Sequence, residues 1–313
     1  MNKKLIVPLN TAAAILLSTP VHAESATLGI YPPIIKITAQ PGSAISIPIT
    51  VVNASQNEKL VDISVLGFKS SNNTQGIVEY YGEENIPHAL SSLINTVKFY
   101  DEDNQIKSIK LYAGEQKNLQ VKFKAPGKTE ADYYFSPVFT VNSTSESQKE
   151  QTTVKVSQSI ASHILLSVNP TQNPTAYISD LSSNPIILNG PVKISLEVTN
   201  DSPNYISTDG SIAIYNVLGK KVSEAKIAES IILSNSTKKI GTNDKQNTIE
   251  ITGTFIGLYS VKSELSLNNT KTVSKETFFL YIPFTLLLVV CVLLVVMLGV
   301  GYRVIKKLNF RQS

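Results

Sequence analysis

Histidine, cysteine and tryptophan are nearly or wholly missing from this chain, and their scarcity removes whole classes of chemistry. There is no tryptophan at all, one cysteine, and three histidines: His22, His88 and His163. A nucleophilic triad needs a histidine beside an exposed nucleophile, and no Gly-x-Ser-x-Gly elbow occurs. Zinc wants clustered imidazoles and thiolates, which three scattered histidines cannot supply. The single cysteine, Cys291, lies in a C-terminal apolar run, so the remainder has no disulfide and must stand on its hydrophobic cores. Should the chain be exported, its lack of disulfides points to a bacterial rather than an animal surface. No cysteine follows the leader to carry a lipid, and no Leu-Pro-x-Thr-Gly signal precedes the apolar run. Basic surplus is missing too. Six of the 28 basic residues sit at the two ends, leaving 22 against 24 acidic ones in between. Such balance gives no electrostatic case for nucleic acid.

What the chain does have is an apolar segment at each end. Residues 1–23 read as a secretory signal: Lys3-Lys4, the apolar stretch Leu5–Leu17, and Val21-His22-Ala23 before Glu24. At the other end, residues 278–302 contain no charge and read as a transmembrane helix, and residues 303–313 as a basic cytoplasmic tail. Pro283 suits the first helical turn, and Pro283 to Tyr302 spans roughly 30 Å of helix, the thickness of a hydrocarbon core. Tyr281 and Tyr302 stand where an interfacial aromatic belt belongs, and Arg303, Lys306 and Lys307 follow as positive-inside residues. The expectation is a single-pass type I protein in the cell membrane, with its domains outside, its C-terminus inside, and one helix in the lipid bilayer.

Between these ends the pattern has a period of two. Ile45, Ile47, Ile49 and Val51 alternate with polar residues up to Asn53, as do Leu119, Val121 and Phe123, and Val192, Ile194, Leu196 and Val198 up to Asn200. Each run puts one face into a core and the other into water. Turn signals such as Pro41-Gly42, Pro126-Gly127 and Asn189-Gly190 separate the runs. The stretch Ile86–Val97 differs: Leu90, Leu93, Ile94 and Val97 are spaced as a short helix capping one end of a sandwich. Pro137 inside a good strand predicts a bulge or an edge. The halves echo one another, since Gly42–Asn53 and Gly190–Asn200 share a glycine turn, alternating aliphatics and a closing asparagine. Asp132-Tyr133-Tyr134 and Gly257-Leu258-Tyr259 resemble the tyrosine corner of immunoglobulin-like sandwiches. The fold class expected is all-β: two immunoglobulin-like β-sandwich domains, 24–169 and 170–277, followed by one transmembrane α-helix.

Few residues suggest a site. Asp101, Asp103 and Asn104 would offer hard oxygens for calcium if Glu83 or Glu84 came near, but the same residues make a plain hairpin turn. Glu83 and Glu84 as neighbours on an extended chain point apart, so they cannot converge on one glycosidic bond. No metal, cofactor or catalytic residue is assigned. Tyr80, Tyr81 and Tyr134 are the candidates for partner contact, because one tyrosine of each Tyr-Tyr pair must face away from the core. Sequons at Asn53, Asn72, Asn142, Asn200, Asn235 and Asn268 arise readily in an Asn- and Ser-rich chain.

The first half, from "IYPPIIKITAQPGSAISIPITVVN" to "LYAGEQKNLQVKFKAPGKTEADYYFSPVF", resembles the peptidoglycan-binding domain of WxL-interacting proteins. The second half, "NGPVKISLEVTNDSPNY" to "FIGLYSVKSEL", is similar to the second sandwich of bacterial membrane proteins built on that plan. The resemblance implies contact with cell wall polymer or with WxL-type surface proteins, and the lack of tryptophan means that the chain supplies no WxL module itself. A membrane-anchored, non-enzymatic surface binding or scaffold protein is the leading expectation. A membrane-tethered chaperone or assembly factor for secreted surface subunits is the alternative.

Overall fold

The computed structural model describes residues 28–128, 132–142, 157–170, 173–244 and 247–309, so the expected leader, residues 1–23, lies outside the described residues. The first half contributes β1 (Leu28–Tyr31), β2 (Ile34–Ala39), β3 (Ala44–Asn53), β4 (Lys59–Ser70), β5 (Val78–Tyr80) and α1 (His88–Ile94). It continues with β6 (Lys98–Asp101), β7 (Asn104–Ile106), β8 (Ser108–Leu111), β9 (Gln116–Lys124), β10 (Tyr133–Asn142), β11 (Ser157–Ala161) and β12 (His163–Val168). One sheet runs β1-β3-β9-β6-β7; the other runs β2-β12-β10-β4-β5, with β8 added on β4 and β11 on β10. Ile49 and Val51 from the first sheet meet Val61, Phe135, Ile164 and Leu166 from the second. Burying each such side chain contributes roughly 1.5–3 kcal/mol, which is what stands in for disulfides. Leu90 and Leu93 of α1 are buried at the edge of this core.

The second half contributes β13 (Ala176–Ser183), β14 (Ile186–Ile187), β15 (Val192–Asn200), β16 (Ile206–Asn216) and β17 (Lys221–Ile232). It ends with β18 (Ser236–Lys239), β19 (Ile249–Ile251), β20 (Gly257–Leu267), β21 (Lys271–Tyr281) and α2 (Phe284–Asn309). A sheet of β13-β15-β18, with β19 also on β15, faces a sheet of β14-β21-β20-β16-β17. Ile194, Leu196 and Val198 pack there against Ile212, Ile214, Val261 and Leu265. The fold is therefore all-β in two immunoglobulin-like sandwiches, with one apolar helix at the C-terminal end.

The echoed asparagines do the same work in each sandwich. Asn53 Nδ2 donates to the carbonyls of Asn57, Leu111 and Tyr112 at 2.8–3.1 Å, and Asn53 Oδ1 accepts from Ser55 N–H. Asn200 Nδ2 donates to Asn204, Ile232 and Leu233, and Asn200 Oδ1 accepts from Ser202 N–H. Each asparagine ties a loop to the opposite sheet where the strand ladder ends. Both side chains are fully buried, so these two sequons present no free amide.

Three expectations need correction. Pro137 marks neither bulge nor edge: β10 is flanked by β4 on one side and by β12 and β11 on the other, in unbroken register. Pro137 stands opposite Ser162, whose N–H donates to its carbonyl at 3.2 Å, and the missing N–H coincides with the interruption between β11 and β12. The helix does not begin at 278, because residues 278–281 pair with β20 as the end of β21. Tyr281 consequently sits in the second core, its hydroxyl donating to the Gly190 carbonyl at 3.0 Å, and not in an aromatic belt. The backbone stays helical past residue 303 to Asn309, so the expected tail begins as a continuation of α2. Its window Phe284–Arg303 has a mean hydropathy of 3.0 and is wholly unburied, long and apolar enough to cross a membrane.

Candidate functional site at the junction of the sandwiches

Strand alternation sends Phe68 of β4, Tyr134 and Ser136 of β10, and His163 and Leu165 of β12 away from the first core. Phe68, Tyr134 and Leu165 are nevertheless buried, because Tyr205, Ile231 and Leu233 of the second sandwich pack on them. Phe68 stacks on Tyr134 with centroids 5.8 Å apart and meets the edges of His163 at 4.9 Å and Tyr80 at 6.1 Å. Aromatic clusters of this kind favour offset and edge-on pairs. The junction is a small third core.

Beside it lies a polar hub. Asp132 Oδ1 accepts from Ser167 Oγ at 2.7 Å and from Asn204 Nδ2 at 2.6 Å. Asp132 Oδ2 accepts from Tyr205 N–H at 2.6 Å and from the Tyr134 hydroxyl at 3.2 Å. Tyr134 in turn accepts from Ser234 N–H, and Asp132 N–H donates to the Pro203 carbonyl. One carboxylate thus collects donors from both sandwiches. Burial pushes its pKa above the ordinary value, against the pull of these four bonds. Burial and the neighbouring carboxylate hold the Tyr134 phenol well above its usual range.

Between the hub and the loop after β4 is a cavity of about 260 Å³, lined by Phe68, Val78, Leu165, Ile231, Leu233 and Lys238 among others. Ile34 opens onto it from β2, the end strand of its sheet. The loop reaches over to the second sandwich, the Thr74 carbonyl accepting from Lys239 N–H at 2.6 Å. Lys238 runs its stem over Gly76 and donates to the Ile231 carbonyl at 3.2 Å. Burial lowers its pKa, and no carboxylate pairs with it among the described residues. Burial likewise lowers the pKa of His163, whose Nδ1 lies 2.8 Å from Ser136 Oγ. That serine is 0% exposed, so no substrate reaches it as a nucleophile. The cavity wall is thus mainly apolar, with His163 and Lys238 among its polar groups.

Of the expected contact residues, the structure brings Tyr80 and Tyr134 to this junction and leaves Tyr81 outside it. Tyr80 is 37% exposed and touches Phe68 and His163. Tyr134 does face away from the first core, but the second sandwich covers it, so it cannot be a free contact. Tyr81 packs partly on the first core, with Lys69 Nζ 5.6 Å from its ring. Asp101 and Asn104 pair across the β6–β7 hairpin, with Glu102 and Asp103 at the turn, and Lys117 holds Asp101 at 2.7 Å. Among the described residues no group of three or more His, Cys, Asp or Glu is placed to hold a metal. Pro283 immediately precedes α2 and its carbonyl accepts from Leu287 N–H. Tyr302 and Arg303 are exposed on α2, whose backbone includes Lys306 and Lys307. Sequence reasoning missed Phe68, Asp132, Asn204 and Lys238. The available signal was Phe68 on the polar side of the β4 alternation.

No family profile matches the chain, and no curated protein sequence does. Among solved structures it is similar to the YadV chaperone, at 10% identity and a TM-score of 0.39, over 81% of this chain and 100% of that one. It is also similar to the class 5 fimbriae chaperone CfaA, at 14% identity and a TM-score of 0.40, over 82% and 99%. A third is the E. coli chaperone DraB, at 13% identity and a TM-score of 0.36, over 80% and 94%. Likeness of this grade says nothing of function, and the fold rests on the strand pairing described above.

Proposed function

We propose that this protein is a non-enzymatic, membrane-anchored binding protein of a bacterial surface, with its sandwiches outside and its C-terminus inside. Its task on this reading is to hold a segment of another surface protein at the groove between the sandwiches. The observation that carries it is the apolar cavity at the junction, opening beside the end strand β2. An end strand offers unpaired backbone groups to an extended segment, and a socket beside it takes an alternate side chain. Ile34 and Lys36 stand on that strand, Lys36 bridging to Glu229 of β17 at 3.0 Å. The resemblance seen in the sequence suggests WxL-type surface proteins, and wall polymer, as the first partners to try. A tethered assembly factor would use the same groove and differ only in releasing its cargo.

The test is a photoreactive residue at Tyr80 in the full chain, cross-linked in living cells and compared in the Ile34→Arg background. Ile34 is 45% exposed, so a charge there blocks the socket without opening a core. One protein cross-linked in the parent chain, and reduced at least tenfold by Ile34→Arg, is expected. A pulse-chase then separates a lasting partner from a released one. Identical cross-links in both backgrounds would reject the groove, and cross-linked glycan in place of protein would move the reading to wall polymer.

A further inference from the structure

We infer that the end of the second sandwich next to α2 is a lipid-contacting surface, resting on the outer face of the bilayer that α2 crosses. The inference rests on the anchored reading above and adds a surface to it. Only Ile282 and Pro283 separate β21 from α2. Both sides of that joint are tied to the sandwich, Ile282 N–H donating to the Ile187 carbonyl at 2.8 Å and Phe284 N–H to that of Leu188 at 2.9 Å. No slack linker holds the domain away from the membrane. Leu280 lies four residues before the helix, so at roughly 3.3 Å per residue it stands within about 13 Å of the first apolar turn. Headgroups fill about 5–8 Å on each side of the core.

What the sandwich presents at that end is apolar. Pairing places Leu280 beside Leu258 on one side and Ile186 on the other, and Asn216 beside Tyr259, which brings the β16–β17 turn to the same level. The turn exposes Val217 to 72% and Leu218 to 86%. Phe278, two residues back on the same face as Leu280, is also exposed. Farther from the helix the face turns charged, with Glu276 opposite Lys262 and Lys262 bridging to Glu264 at 2.6 Å. Polarity therefore changes along the strand axis, as it does across a membrane interface.

The turn is also firmly built. Asn216 Oδ1 accepts from Leu218 N–H at 3.1 Å and from Lys220 N–H at 3.0 Å, and Gly219 takes a positive φ of 74°. Ordered turns are ordinarily polar; this one holds two aliphatic side chains outward, with exposed Lys220 beside them as a partner for headgroup phosphate. Its opposite end, at Ile206 and Asn268, faces the first sandwich, about 35 Å away along the eleven-residue strand.

The absence of tryptophan makes the test direct. Single Leu218→Trp, Val290→Trp and Tyr112→Trp variants of the full chain each carry one fluorophore. They are reconstituted into phosphatidylglycerol–phosphatidylcholine vesicles containing lipid brominated at shallow or deep acyl positions. Val290→Trp, about 9 Å into the span Phe284–Arg303, reports whether α2 inserts, and Tyr112→Trp reports the first sandwich. The expected result is at least twofold quenching of Leu218→Trp by shallow bromines, deep quenching of Val290→Trp, and none of Tyr112→Trp. If Val290→Trp is quenched while Leu218→Trp emits as in water, this inference falls and the anchor stands. If Val290→Trp is unquenched, the anchored reading falls, and the inference with it.

Discussion

Single polar side chains carry much of the order in this molecule. Asn53 and Asn200 each answer three carbonyls and an N–H inside a dry loop base, where an unmet group costs about 1–3 kcal/mol. Replacing either with alanine strands several partners at once, so each variant should lose about 2–4 kcal/mol of stability in its own sandwich. Denaturant unfolding followed domain by domain measures it, and a loss under 1 kcal/mol for both would reject the role. His163 makes a prediction about pH. Burial lowers its pKa in the fold below the ordinary 6.5, so over that window the unfolded chain binds more protons. The stability His163 contributes is then whole above pH 6.5 and is lost as pH falls towards the folded value. An imidazole titration by NMR should show a midpoint below 6.5 for His163. A midpoint at or above it would mean that the junction is open to water.

At the scale of elements, the legible parts were those in which a single face is buried. The β3, β9 and β15 patterns have one wet side, so period-two alternation exposes them plainly. The short helix over α1 was legible for the same reason, with Leu90 and Leu93 facing the core. The end of β21 was not. Residues 278–281 read as Phe-Phe-Leu-Tyr and then run without a charge into α2, so strand and span merge into one apolar stretch. Only the partner strand β20 separates them, through pairs such as Gly257 with Tyr281. Pro137 misled in the opposite direction, since its partner position, Ser162, lies some 25 residues away, where β11 gives way to β12. Gly210 is a third such case: a Cβ there would run into the Glu264 carbonyl across the ladder, at a register shift in β16 that no local pattern announces. The junction was half legible. Alternation shows that Tyr134 and Phe68 leave the first core, but not that a second sandwich arrives to cover them.

At the scale of the whole molecule, the question is what makes two sandwiches behave as one body. The salt bridge between Lys36 and Glu229 is surface-exposed, and such pairs contribute about 0–1 kcal/mol. The apolar contact of Phe68, Tyr134 and Leu165 adds burial without direction. Direction comes from Asp132, whose two oxygens take four donors, two of them on the second sandwich. Alanine at this position leaves those donors facing each other in a dry interface, and the least costly relief is for the sandwiches to part and admit water. Asp132→Ala should therefore weaken docking by about 2–4 kcal/mol while leaving both main cores untouched. Calorimetry of the full chain in detergent should show one cooperative transition in the parent protein and two in the variant. Cross-linking through Tyr80 should fall with it, because the socket exists only while the sandwiches are docked. If Asp132→Ala keeps a single transition at the parent temperature, apolar contact and links such as Lys239 N–H to the Thr74 carbonyl join the sandwiches, and the Asp132 carboxylate has no part in shaping the groove.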